Sequence, residues 1–99
     1  MFNFDRVRLF EKAAEYEKGI AFIVSKKKDE FPAEKLEEIN FLKCVFAHVL
    51  FANTHKESWR QDRDQYVREY LIAYPNGQMK ETLQSIVEGP KARPPTTRG

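Results

Sequence analysis

Residues 41–52 read FLKCVFAHVLFA, a run of large apolar side chains interrupted only by Lys43, Cys44 and His48. A run of this length is either a buried strand or a helix covered on most sides, and periodicity alone does not separate the two. Its flanks do. Upstream, Pro32 stands where a first helical residue can lack its N–H, and Glu34, Glu37 and Glu38 sit near the positive end of the helix dipole. Leu36, Ile39, Leu42, Val45, Phe46, Val49 and Leu50 then recur at helical spacing. Downstream, Thr54-x-x-Glu57 and Ser58-x-x-Gln61 are overlapping capping-box patterns, so one helix is expected to end near Asn53 and the next to begin shortly after. The polar seam of Asn40, Lys43 and His48 is narrow, which predicts the central helix of a small all-helical domain.

The rest of the chain supplies its neighbours. Residues 4–25 predict a first helix with Val7, Phe10, Ala14 and Ala21 on one stripe. Gly19 is its weak point, costing about 1 kcal/mol relative to alanine inside a helix. The β-branched stretch 20–24 could form a short strand instead, but no second strand-like segment exists to satisfy its backbone, so a helix is expected. A third helix, from Thr54 or Ser58 to Tyr74, places Trp59, Arg63, Tyr66 and Tyr70 on one face, widened by Val67, Leu71 and Tyr74. Arg60 and Asp64, and Asp64 and Arg68, are four apart and can pair on its outer surface. Tyr74-Pro75-Asn76-Gly77 ends it, with Asn-Gly suited to the positive φ angles of a tight turn. Met79, Leu83, Ile86 and Val87 make the stripe of a short fourth helix, closed by Gly89-Pro90. Residues 90–99, PKARPPTTRG, carry three prolines and no large apolar side chain, the composition of a disordered tail. The expectation is therefore an all-α domain over residues 1–89, a helical bundle of three longer helices plus a short C-terminal one, followed by a tail.

Composition narrows the function classes. Lys91, Arg93 and Arg98 contribute +3 to a net charge of +2, which leaves −1 for residues 1–89. A nearly neutral body argues against binding dominated by nucleic-acid phosphates. A single cysteine excludes an intramolecular disulfide, and the first ten residues lack a signal-peptide pattern, so a cytoplasmic protein is expected. The central apolar run is too short to span a bilayer. No phosphate-binding glycine loop, dinucleotide turn or nucleophile elbow is present. Cys44 and His48, with His55 if the helix ran on, would share a face, but the capping pattern at Thr54 breaks the helix and no further ligands complete a zinc set. Neither a cofactor, a metal nor a small-molecule substrate is expected, and the chain reads as a non-enzyme.

Thirteen aromatic residues in 99 exceed what helices of these lengths easily hide. Trp59, Arg63, Tyr66, Tyr70 and Tyr74 combine apolar bodies with polar tips, the composition of interface anchors as well as of a core. The expected function is protein–protein interaction through this stripe, as an adaptor, regulator or inhibitor, including those of phage origin, with a homodimer expected. The alternative rests on residues 70–94. Ile72-Ala73, Gly77, Leu83, Ile86 and then Gly89-Pro90-Lys91-Ala92-Arg93-Pro94 loosely resemble the repressor-like helix-turn-helix pattern. The resemblance spans about twenty residues, and Pro75 and Asn76 depart from it where the first helix should end. It implies a DNA-binding regulator in which Gln78, Lys80, Glu81 and Gln84 face the major groove and Lys91 and Arg93 the phosphates.

Overall fold

The computed structural model describes residues 3–12 and 14–88. The fold is all-α: the described residues form five α-helices and no strand. The apolar run lies within α3 (Leu36–Thr54), which packs against each of α1 (Asn3–Lys12), α2 (Tyr16–Ser25), α4 (Glu57–Ala73) and α5 (Lys80–Glu88). Two single-turn 3-10 helices, Lys28–Glu30 and Ala33–Lys35, lead into it, with extended Pro32 between them and Phe31 buried as their anchor.

The expected first helix is two helices, and the break falls five residues before Gly19. Ala14 takes the left-handed conformation (φ 58°), its N–H reaching the Glu11 carbonyl at 3.1 Å and the Glu15 N–H the Phe10 carbonyl at 2.9 Å. These two bonds are those of a Schellman motif, which closes a helix end by satisfying its last carbonyls. Gly19 lies inside α2 for a different reason. A Cβ there would stand 2.8 Å from Phe46 Cε2 and 3.2 Å from Phe10 Cβ, so the glycine lets α2 lie directly on α3 and α1. Residues 20–24 are helical as expected, with Ile20 and Ile23 buried.

Two apolar clusters hold the elements together. Val7, Ile20, Ile23, Leu42 and Phe46 are central to the first; Cys44, Val67, Tyr70 and Leu83 form the second, between α3, α4 and α5. Phe41 and Tyr66 pack against both.

The helix ends differ from expectation in detail. α3 closes at Thr54 with His55 left-handed (φ 59°), and α4 starts at Glu57 with Lys56 as its N-cap and no side-chain cap. Thr54 Oγ1 instead donates to the Leu50 carbonyl at 2.7 Å and accepts the Lys56 N–H at 3.3 Å, so the hydroxyl serves the turn. α4 ends at Ala73, one residue before Tyr74 and Pro75. Neither Asn76 nor Gly77 has a positive φ. Space fixes Gly77: a Cβ there would overlap the Tyr70 hydroxyl and lie 2.8 Å from Glu37 Oε2. The expected tail, residues 90–99, lies outside the described residues.

Candidate functional site: an apolar cleft between α2 and α4

A cleft of about 460 Å³ opens where the C-terminal end of α2, the Phe31 turn and the first half of α3 meet the end of α4. That volume is in the range of sites that accept a small ligand or a partner's side chain. Ile23, Phe31, Leu36 and Ile39 form its apolar lining. Helical spacing puts them there: Leu36, Ile39 and Lys43 are three and four apart on α3, and Glu69 and Ala73 four apart on α4.

Charge is confined to three side chains at the cleft, Lys26, Lys43 and Glu69. The Lys43 ammonium stands 4.6 Å above the Tyr66 ring centroid and 3.5 Å from Glu69 Oε1, which fixes a mostly buried cation beside the apolar lining. Across from it, Lys26 lies 5.2 Å from the Phe22 ring centroid and 3.9 Å from Glu30 Oε1. Asn40 donates one of its two side-chain N–H groups to the Leu36 carbonyl at 2.9 Å, which holds the amide along α3. Val24, in the lining, is 60% exposed, and Ile72, next to Ala73 in the chain but outside the lining, is 81% exposed. A second, smaller cleft of about 170 Å³ separates α4 from α5, lined by Val67, Leu71 and Val87 with Asp64, Arg68 and Gln84.

The aromatic stripe of α4 faces inward. Tyr70 is buried: its hydroxyl donates to Glu37 Oε2 at 2.6 Å and accepts the Met79 N–H at 3.1 Å, while the same carboxylate oxygen accepts the Gln78 N–H at 2.9 Å. Burial, then the bond to Glu37, pushes the Tyr70 hydroxyl up to about 12. Arg63, also buried, donates from Nε and Nη2 to Asp64 Oδ1 at 3.0 and 2.9 Å and from Nη1 to His48 Nδ1 at 3.1 Å, with its guanidinium 5.6 Å from the Phe51 ring centroid. The Arg60–Asp64 pair forms at 3.5 Å, but Asp64 turns back to Arg63 where a bond to Arg68 was expected. His48 accepts from a cation, so burial and then the Arg63 charge hold its pKa below the ordinary value. Trp59 and Tyr66 are half-buried against the first cluster and Tyr74 against the second. Of the stripe, Tyr74 lines the cleft and Tyr66 lies under Lys43; Trp59 and Arg63 do not reach it.

Of the alternative set, Lys80 is half-buried, Glu81 is exposed, Gln84 lines the small cleft and the Gln78 N–H is bound by Glu37. Lys91 and Arg93 lie outside the described residues. Cys44 is buried and donates to the Asn40 carbonyl at 3.2 Å; desolvation raises its thiol to about 12, so it stays protonated and weakly nucleophilic. No group of three or more histidine, cysteine or acidic residues is placed to hold a metal, and no helix is long and apolar enough to cross a membrane, among the described residues.

Sequence reading missed Val24, Lys26, Phe31 and Ile72 as site residues. One had a signal. Ile72 is about 200 degrees around the helix from Tyr70, a large aliphatic on the face opposite the apolar stripe. Set against family models, curated proteins and solved structures, the chain matches none.

Proposed function

We propose that the chain is a non-enzymatic helical-bundle protein of the cytoplasm that acts by binding another protein, as an adaptor, regulator or inhibitor. The contact is made at the cleft between α2 and α4. One observation carries this reading: of the two most exposed large aliphatic side chains among the described residues, Val24 lines the larger cleft and Ile72 directly precedes its lining residue Ala73. An exposed apolar rim around an apolar hollow favours association, because covering it removes water from both. The stripe residues contribute through what is left uncovered of Tyr66 and Tyr74, the latter backed by the buried Tyr70 ring at 5.1 Å between centroids.

The test is capture of partners from a lysate of the source organism by the tagged protein and by its Ile72→Asp variant, with nuclease and rising salt. A stoichiometric protein is expected to survive both treatments on the wild type and to be lost on the variant, since an apolar contact responds little to salt. Recovery of nucleic acid alone, released as salt rises, would put the α5 reading with Gln78, Lys80, Glu81, Gln84, Lys91 and Arg93 in its place.

A further inference from the structure

We infer that the cleft face is self-complementary and that its occupant is a second copy of this chain, joined through a two-fold axis. The inference rests on the reading of the cleft as a protein interface. The same face carries both halves of a contact. On one side is a hollow with an apolar lining and two ammonium groups, Lys26 and Lys43. Beside it on α4 is Ile72, 81% exposed and one helical turn after Glu69, whose carboxylate lines the hollow. An isologous contact uses one patch on both partners, so whatever projects from one copy must fit a recess of the other. Ile72 of each copy enters the hollow of its partner, and Glu69 of each meets the partner's Lys26. Charge does not oppose this: residues 1–89 sum to −1, so two copies repel weakly.

The pairing of unlike positions gives a decisive test in the full chain. In a homodimer of the Lys26→Glu variant, both cross-pairs set carboxylate against carboxylate; in one of the Glu69→Lys variant, both set ammonium against ammonium. When the two variants are mixed, one copy carries carboxylates and the other ammonium groups at both positions, so each cross-pair of the mixed dimer joins opposite charges and mixing restores association. The double variant Lys26→Glu/Glu69→Lys restores it on its own, because both cross-pairs are again opposite with their signs exchanged. Sedimentation equilibrium from about 1 to 200 μM is expected to give a concentration-dependent dimer for the wild type, with Ile72→Asp weakening it by more than about a hundredfold. Each single charge variant is expected to be folded by circular dichroism and monomeric where the wild type is dimeric, and both the equimolar mixture and the double variant to recover the dimer. A wild type that stays monomeric throughout overturns the inference. So does a dimer indifferent to Ile72→Asp, or a folded double variant that associates no better than the single ones. A monomer that still captures a protein lost on Ile72→Asp overturns the self-association while leaving the cleft an interface. Should the charge variants not fold, the exposed Ile72→Asp change decides alone.

Discussion

Tyr70 and Glu37 do at one point what several caps would otherwise have to do. The turn between α4 and α5 has two backbone N–H groups, of Gln78 and Met79, that find side-chain oxygens on Glu37 and Tyr70 respectively. Tyr70→Phe leaves the Met79 N–H without its oxygen and is expected to cost about 1–3 kcal/mol, read as a lower urea midpoint at unchanged slope. Gly77→Ala, which pushes a methyl into the same hydroxyl, should cost a similar amount, and the double variant less than both together because the second change acts on a site already broken. His48 gives a pH dependence whose sign follows from its lowered pKa. Between the lowered and the ordinary value, near 6.5, the unfolded chain takes up a proton that the folded chain refuses, so stability falls as pH is lowered through that window. Urea midpoints at about pH 7.5 and 5.5 should show the fall, and His48→Asn should make it shallower.

At the scale of elements, the first segment separates local from long-range causes. Its break could not be read at Ala14, since alanine is a poor left-handed residue and the motif there holds because α1 and α2 both dock on α3. Ala14→Gly is accordingly expected to stabilise the protein by about 0.5–1 kcal/mol. Gly19→Ala should go the other way by about 1–2 kcal/mol despite better helix propensity, because the fully buried Phe46 ring cannot yield to the new methyl. Thermal unfolding of both variants checks the pair. Where a signal is local, as with Pro75 or the spacing through residues 36–50, the sequence is enough to place an element to within a residue or two. The cleft draws its walls from three separated stretches, residues 23–31, 36–43 and 69–74, and no period within any one of them announces the hollow between. The α4 stripe has the reverse problem: burial in a core and burial in a partner select the same side chains, and only the packing distinguishes them.

For the molecule as a whole, Phe41 and Tyr66 touch both apolar clusters and stand where one core passes into the other. Tyr66 also carries the Lys43 ammonium over its ring, so the lining of the cleft is tied to the same residue. Tyr66→Ala would loosen that tie, and calorimetry should then find a broadened transition, its van't Hoff enthalpy below the calorimetric one, where a single step is expected of the parent. Whatever docks at the cleft therefore pulls on the joint between the two halves of the interior. An occupant there acts as a clasp, and slower amide exchange as far away as α5 is the mark it should leave.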